Sequence, residues 1–196
     1  AHDPESMLFY DLPQYWPFWE MVESLDVPFY LHPRRALSSQ MRIYEGHSWM
    51  TGAAWGFAQE TAVHALRLMA SGLFDKHPRL QIILGHLGEG LPYSMWRVDN
   101  CNAWVEGRHN YPARKKIGDY FQNNFHLTTS GNFHTPTLDN AISEIGIDRI
   151  MFSIDWPFES IDHGAAWFDK AEISEADRAK IGRANAIRLL KLNMNE

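Results

Sequence analysis

Four short runs of apolar residues divide the chain into similar units, and each run ends at residues that interrupt β-structure. These runs predict strands at residues 27–31, 79–85, 125–129 and 150–154. Apolar runs of this length are typical of strands that are buried on both faces of a parallel sheet. The fourth run is followed by Asp155 and then by Pro157, which has no N–H to donate to a strand ladder.

Between these runs, apolar residues recur at the spacing of an α-helix. The spacing predicts helices over residues 15–26, 59–71, 92–105, 113–123, 135–145 and 174–192. The clearest helix covers residues 59–71, where Ala62, Leu66 and Met69 share one apolar face. A long connection follows the first strand, over residues 34–54, and connections of that length inside a compact domain are usually functional or poorly assigned.

Two of the predicted helices have a recognisable start. Thr135 followed by Pro136 predicts an N-cap and a first helical residue. Ser174 with Asp177 three residues later predicts a capping box.

Strand and helix therefore alternate along the chain, which predicts parallel strands joined by right-handed crossovers. Four such units amount to half of a (β/α)8 TIM barrel, which normally needs ~250 residues. The alternative is a small open doubly wound sheet. A nucleotide-binding open sheet is disfavoured, because no glycine-rich phosphate-binding motif follows any of the predicted strands.

Composition narrows the classes of protein. The chain has 196 residues, is 45% hydrophobic and 21% charged, and can build a real core or form part of a larger domain. A net charge of −6 without a Lys/Arg run disfavours nucleic acid as a partner. Cys101 is the single cysteine, which favours a reducing cytoplasm. No apolar run approaches the ~20 residues of a membrane span, and no signal peptide is apparent, so we expect no membrane partner.

Three of the four predicted strands end in a side chain that can bind a metal ion, namely His32, His86 and Asp155. The carboxyl ends of parallel strands meet at one edge of a sheet, where α/β folds place their chemistry. Imidazole nitrogen and carboxylate oxygen both suit a divalent ion such as zinc or manganese. The simpler alternative for Asp155 is a cap on the next helix.

Most of the ten histidines are expected to be structural. We assign a structural role to those in helices, loops and mid-strand positions: His64, His77, His109 and His126. The strand-end positions of His32 and His86 favour function instead.

The residues after the second strand suggest support for His86. Glu89 could accept a hydrogen bond from His86 and fix its tautomer, or could simply favour a helix N-terminus. Arg97 could bind a substrate carboxylate with two hydrogen bonds, or pair with Asp99 or Glu89 at the surface. Aromatic residues make up 13% of the chain, and Phe57, Trp156 and Phe158 could wall a pocket or belong to the core.

Several segments together resemble the metal-dependent decarboxylase branch of the amidohydrolase superfamily. They are LHP at residues 31–33, ILGHLGEGLP at 83–92, MWRVD at 95–99, TSG at 129–131 and FSIDWPFE at 152–159. The resemblance covers the chain in order and implies a (β/α)8 barrel that assembles as a homodimer or homotetramer. Residues 1–196 would be the C-terminal part of a single barrel domain, with strands 5–8 and their helices.

The resemblance also implies a reaction and its residues. It is closest to members that decarboxylate, reversibly and without oxidation, an ortho-hydroxybenzoate of the 2,6-dihydroxybenzoate type to the phenol and CO2. It implies one divalent ion, zinc or manganese with magnesium as a third candidate, on His32 and Asp155. Asp155, His86 and Glu89 would be catalytic, with Asp155 as proton donor. Arg97, Phe57 and Phe158 would bind the substrate.

One feature of the family is missing. Its first strand carries a Glu-x-His or His-x-His pair that completes the metal site, and this chain contains no such strand. We therefore expect an N-terminal half of the barrel as a partner, and no stable active monomer, because half a barrel exposes two strand edges. Two alternatives are a metal-dependent hydrolase of a lactone, ester or amide, and a non-catalytic half-barrel subunit.

Overall fold

The computed structural model describes residues 8–104 and 111–194, without the side chains of residues 103 and 104. His109 and the predicted helix end at residue 105 lie outside the described residues. The described chain contains a four-stranded parallel sheet in the order β1-β2-β3-β4. Its strands are β1 Phe29–Leu31, β2 Ile82–Leu84, β3 Phe125–Thr128 and β4 Ile150–Met151.

Each strand pairs with the next strand of the sequence, so the strand order never reverses. Phe29 lies opposite Ile82, and Ile82 lies opposite Phe125 in the next pair. The predicted alternation of parallel strands and helices is therefore confirmed. An open doubly wound sheet binds its ligand where the order reverses, and the described sheet has no such point.

The helices are numbered in chain order. They are α1 Trp16–Leu25, α2 Gly56–Ala70, α3 Leu73–Lys76, α4 Leu91–Trp104, α5 Ile117–Asn124, α6 Thr135–Ile145, α7 Ile161–Lys170, α8 Glu175–Ala179 and α9 Asn185–Leu190. A π-helical segment, Lys180–Ala184, joins α8 to α9. Short 3-10 helices occupy Pro13–Tyr15, Met41–Tyr44, Ser48–Thr51 and Ile147–Arg149. No helix within the described ranges is both long and apolar enough to cross a lipid bilayer.

The fourth strand is shorter than predicted because its hydrogen bonds leave the ladder early. On the side of β4 away from β3, the Phe152 N–H donates to the Ile181 carbonyl over 2.8 Å. The Ser153 N–H donates to Oγ1 of Thr129 over 2.9 Å. Side-chain and loop partners thus replace the ladder before Asp155 is reached.

The helix predicted to start at residue 113 begins at Ile117, because a tyrosine holds the preceding backbone. The Tyr120 hydroxyl accepts from the N–H groups of Arg114 and Lys115, each over 3.0 Å. It donates to Oδ1 of Asp75 over 2.6 Å, and burial together with this bond raises the pKa of Tyr120 to about 12. The segment is therefore tied as a loop and does not continue the helix.

Two further differences concern helix starts. The N-cap of α6 is His134 and not Thr135, whose hydroxyl accepts from the indole N–H of Trp167 over 3.2 Å. The helix α7 was not predicted, although Ser160 caps it by accepting from the His163 N–H over 3.3 Å. The capping box at Ser174 does form, over 3.1 Å to the Asp177 N–H, but the π-helical segment interrupts the helix that follows.

The core lies between the sheet and the helices. Fully buried residues of the strands, such as Leu31, Leu84 and Leu127, pack with Trp19 of α1 and Leu68 of α2. Burial of each large side chain contributes on the order of 1.5–3 kcal/mol. This packing holds the strands in register. It therefore sets the positions of the residues that follow their carboxyl ends.

Candidate active site

The structure brings His32, His86 and Asp155 together around one cavity at the carboxyl ends of the strands. The cavity has a volume of about 980 Å3, and all three residues line it. His32 directly follows β1, His86 follows β2 after Gly85, and Asp155 follows β4. Their convergence results from the parallel register, since none of them is close to another in the sequence.

The backbone is strained at two of these three positions. His86 and Asp155 have φ angles of 52° and 79°, in the left-handed region that favours glycine. Each such residue costs on the order of 1–3 kcal/mol and persists only where the surrounding structure enforces it. The N–H of Leu87 donates to the Thr128 carbonyl over 2.8 Å, which ties the turn after β2 to β3. Strain of this kind is concentrated at functional sites.

Gly88 makes this turn possible. Its φ is 88°, and a Cβ at this position would lie 3.0 Å from Cδ of Pro92 and 3.1 Å from Cδ2 of Leu127. A side chain would therefore press into the start of α4 and into β3. Pro92 and Leu127 are thus the neighbours that require glycine at this turn.

His86 lies between two carboxylates. Its Nδ1 is 2.7 Å from Oε1 of Glu89, which forms the predicted hydrogen bond, and its Nε2 is 3.7 Å from Oδ2 of Asp155. The Glu89 side chain is only 2% exposed. Burial lowers the pKa of His86, but the bond to Glu89 and the charges of Glu89 and Asp155 outweigh it and raise that pKa. This arrangement orients His86 and favours its protonated form.

His32 is exposed, and its tautomer is set by its neighbour. Nδ1 of His32 lies 2.8 Å from the Pro33 carbonyl, so Nδ1 carries the proton and Nε2 keeps a lone pair. A lone pair of this kind and the Asp155 carboxylate are donors that suit zinc or manganese. The described residues contain no group of three His, Cys, Asp or Glu side chains that could hold a metal ion. His32 and Asp155 therefore fit a metal ion as two members of a larger set of ligands.

Two of the three predicted substrate-binding residues line the cavity, and the third does not. Phe57 and Phe158 line the cavity, and Phe158 is 82% exposed at its edge. Arg97 is exposed, does not line the cavity, and forms no ion pair with the described residues. Its predicted surface partner Asp99 instead accepts from the Gly118 N–H over 3.1 Å.

Sequence reasoning missed most of the apolar wall and several polar residues. Ala62 and Leu66 of α2 line the cavity, although their spacing indicated a core face. Asn132 and Glu159 also line it. The signal for both polar residues was their position within a few residues of a strand end, which is weaker than a metal-binding side chain directly after the strand.

A layer of hydroxyl groups links the strand ends. The Tyr30 hydroxyl lies 2.7 Å from Oγ1 of Thr128 and 3.2 Å from Oγ of Ser130. Ser130 donates to Oγ of Ser153 over 3.1 Å. Gly85 lets Tyr30 pass over β2, because a Cβ there would be 3.1 Å from the tyrosine hydroxyl. Burial raises the pKa of Tyr30, as do the charges of Asp155 and Glu89, so this hydroxyl keeps its proton.

The histidines expected to be structural are held by protein groups away from the cavity. His64 accepts from the Tyr10 N–H over 3.1 Å, and Nδ1 of His77 lies 3.1 Å from Glu23. Nε2 of His126 is 3.1 Å from Oε1 of Gln81. None of these three lines the cavity.

Comparison with known proteins identifies the family to which the chain belongs. A family profile described as Amidohydrolase matches residues 2–192. The chain therefore belongs to the amidohydrolase family, and the resemblance read from its motifs is confirmed.

Its relatives are more specific. The chain is 68% identical to gamma-resorcylate decarboxylase of Polaromonas sp. over 95% of its length, and 66% identical to that of Rhizobium sp. over 97%. It spans only 57% and 58% of these two relatives. The chain thus covers a little over half the length of the proteins it matches.

Solved structures agree. The 2,6-dihydroxybenzoate decarboxylase from Rhizobium superposes with a TM-score of 0.94 at 67% identity, covering 96% of this chain and 58% of that one. A dihydroxybenzoic acid decarboxylase from Polaromonas with bound manganese and 2-nitroresorcinol gives 0.93, covering 96% and 57%. A 5-carboxyvanillate decarboxylase from Sphingomonas paucimobilis gives 0.91 at 32% identity, covering 98% and 58%.

Proposed function

We propose that this chain forms the C-terminal part, strands 5–8 with their helices, of a single (β/α)8 barrel domain. The sequential parallel order β1-β2-β3-β4 supports this, because a barrel closes by pairing each strand with the next. The chain spans 57% and 58% of two relatives, and the remaining part of each is long enough for a similar number of strands. The other half of the barrel is then a required partner, which covers the two open strand edges.

The proposed activity is the reversible, non-oxidative decarboxylation of an ortho-hydroxybenzoate of the 2,6-dihydroxybenzoate type. The observation that carries it is the row Glu89, His86 and Asp155, which faces the same cavity as His32. Four relatives at 63–68% identity are gamma-resorcylate decarboxylases. A similar structure holds 2,6-dihydroxybenzoate itself.

His32 and Asp155 would hold one divalent metal ion, with further ligands from outside the described residues. Manganese is present in three similar structures, and zinc and magnesium remain the other candidates from the donor types. When bound, such an ion supplies positive charge beside the carboxylate and phenolate oxygens of the substrate. The cavity needs this charge, because no Lys or Arg lines it among the described residues.

Asp155 is the proposed proton donor. Its carboxyl group gives a proton to the ring carbon that bears the carboxylate, because loss of CO2 without that proton would leave a costly aryl carbanion. The bond from ring to carboxylate then breaks, its electron pair restores the aromatic ring, and CO2 leaves. His86 returns a proton to Asp155 across the 3.7 Å between them. Glu89 holds His86 in the orientation that this transfer needs.

Phe57 and Phe158 would contact the aromatic ring from the cavity wall. Arg97 stays a proposed ligand for the substrate carboxylate, from its exposed position outside the wall. A homodimer or homotetramer is part of the proposal, supported by large exposed side chains outside the cavity such as Ile43 and Trp96, which are 80% and 69% exposed. The single cysteine, Cys101, is consistent with the reducing cytoplasm as compartment.

The test is Asp155→Asn in the complete protein that contains these residues. At saturating metal ion, we expect turnover of 2,6-dihydroxybenzoate to fall by at least roughly a thousandfold, while substrate binding changes little, because the amide oxygen can still bind the ion but the amide cannot donate a carboxyl proton. The control is Asp162→Asn, which removes a carboxylate at an exposed position of α7. Turnover within tenfold of wild type in Asp155→Asn would contradict the assignment of the proton donor.

Two alternatives have specific support. The family contains hydrolases as its description indicates, so hydrolysis of a lactone, ester or amide is one. Release of CO2 from the aromatic acid without lactone hydrolysis excludes it. The absence of a three-residue metal cluster among the described residues supports the other, a non-catalytic half-barrel. Tight binding of a divalent ion by this chain alone would exclude that reading.

A further inference from the structure

Glu159 brings a further carboxylate to the cavity beside Asp155. Its backbone N–H donates to the Asp155 carbonyl over 3.2 Å, in the turn that follows β4. Its side chain is half-buried and lines the same cavity as His32, His86 and Asp155. The turn that sets the proposed proton donor therefore also sets the position of Glu159.

The Glu159 side chain packs against Gly131, a backbone position that has no side chain. A Cβ at Gly131 would be 3.2 Å from Cγ of Glu159 and 3.6 Å from its Oε1. Gly131 has a φ of 68° and donates its N–H to the Ile154 carbonyl over 3.1 Å. The loop after β3 is thus shaped to leave space for this carboxylate. The next residue, Asn132, also lines the cavity and donates to the His86 carbonyl over 3.3 Å.

The charges around the cavity indicate what Glu159 can bind. Glu89 is occupied by His86, and Asp155 faces His86 from the other side. Glu159 forms no ion pair and no side-chain hydrogen bond with the described residues, and no Lys or Arg among them lines the cavity. A free carboxylate there repels an anionic group and accepts a hydrogen bond from a neutral donor. It therefore does not suit the carboxylate of an aromatic acid.

We propose that Glu159 recognises the second ring hydroxyl of the substrate by accepting a hydrogen bond from it. It is then a specificity residue that selects dihydroxy aromatic acids over monohydroxy ones. This inference rests on the proposed decarboxylase function, because that function supplies the aromatic ligand. Phe158, the preceding residue, lines the cavity as well, so one short turn presents an apolar contact for the ring and an acceptor for its substituent.

The test measures binding of resorcinol and of phenol, two neutral ligands that differ by one hydroxyl. Titration of the complete wild-type protein is compared with Glu159→Leu and Glu159→Gln. We expect Glu159→Leu to weaken resorcinol binding by roughly tenfold to a hundredfold, which is the range for a hydrogen bond to a charged group, and to leave phenol within about threefold. Glu159→Gln keeps an acceptor oxygen and should lose less.

The control for a general loss of negative charge is Glu172→Leu, at an exposed position outside the cavity. It should change binding of neither ligand. Thermal melting of each variant shows whether it is folded, and Glu159→Gln, the more conservative change, keeps the test decisive where Glu159→Leu fails to fold. Equal losses for resorcinol and phenol, or no loss for either, would overturn the proposal.

Kinetics separate this inference from the proposed function. In the variants, kcat/KM for 2,6-dihydroxybenzoate should fall relative to that for 2-hydroxybenzoate. If the protein turns over both acids and the ratio of the two kcat/KM values is the same in wild type and in the Glu159 variants, the role of Glu159 is contradicted. The proposed function is not affected by that result. A protein that decarboxylates neither acid, yet loses resorcinol binding in Glu159→Leu, contradicts the proposed function and supports the hydroxyl contact.

Discussion

The amino and carboxyl ends of the four strands carry similar polar residues, but protein groups satisfy them to very different extents. At the amino end, Asn124 donates to the carbonyls of Pro78 and Leu80 over 3.1 and 2.9 Å. Asn185 donates in the same way to Ile147 and Ile150 over 2.9 and 2.8 Å. Each asparagine therefore fastens the loop that leads into a strand.

His126 belongs to this amino-end network through Nε2, while its buried Nδ1 has no hydrogen-bond partner among the described residues. Its Nε2 lies within 3.2 Å of Arg149, which also donates to the Phe125 carbonyl over 3.0 Å. Burial, together with the charges of Arg149 and Arg188, lowers the pKa of His126 to about 3. A histidine held neutral in this way serves stability and does not exchange protons near neutral pH.

The carboxyl end is built in the opposite manner. His86 and Asp155 adopt left-handed backbone angles, and the pKa of His86 is raised by Glu89 and Asp155 despite burial. His32, Glu159 and Asp155 line an open cavity, and the Glu159 carboxylate forms no side-chain hydrogen bond or ion pair with the described residues. The comparison teaches that one end of the sheet keeps the fold while the other leaves polar groups available for a ligand.

The largest expected effect on stability is at the amino end. Asn185→Ala removes the donor from the buried Ile150 carbonyl and from the part-buried Ile147 carbonyl, and should lower the free energy of unfolding by roughly 2–4 kcal/mol. Urea denaturation of the complete protein measures this. Asn123→Ala, at an exposed position, should change it by less than about 0.5 kcal/mol. Asp155→Asn belongs to the other end and should leave stability nearly unchanged; a loss equal to that of Asn185→Ala would remove the contrast between the two ends.

The next effect is a pH dependence that originates at His126. Its pKa is about 3 in the folded state, against 6.5 for an ordinary histidine, so the unfolded chain binds more protons between these values. Stability should therefore fall as pH drops below about 6.5, by at most about 1.4 kcal/mol per pH unit from this group.

Denaturation at several pH values between neutrality and pH ~4.5 measures this slope. His126→Gln should reduce the slope, because glutamine takes up no proton. The exposed His163→Gln serves as the comparison and should leave the slope as in wild type. If His126→Gln leaves the acid dependence unchanged, another group causes it.

The smallest effect concerns the hydroxyl layer near the carboxyl end. Tyr30→Phe removes the hydroxyl that bonds to Thr128 and Ser130, and should lower stability by about 1 kcal/mol. Thermal unfolding of the complete protein measures it. Because this layer links strand ends on either side of Gly85, an effect of several kcal/mol would show that the carboxyl end also contributes strongly to stability. That result would weaken the comparison.

Much of the secondary structure could be predicted because it depends on local signals. Buried strands require apolar runs, and the helix face of Ala62 and Leu66 has the period of 3.6 residues. The missed elements depend on partners distant in sequence. The start of α5 is set by Tyr120 and Asp75, and the end of β4 by Ile181 and Thr129.

The sequence by itself determined the alternation of strands and helices, and the placement of His32, His86 and Asp155 just after strands. Those features follow from side-chain chemistry and spacing within short segments. Only the tertiary structure decided that these residues share a cavity, that Glu89 and Asp155 flank His86, that Arg97 lies outside the wall, and that Glu159 lies inside it. The physical reason is that strand register and turn geometry, held by contacts between residues far apart in sequence, set the direction in which each side chain points.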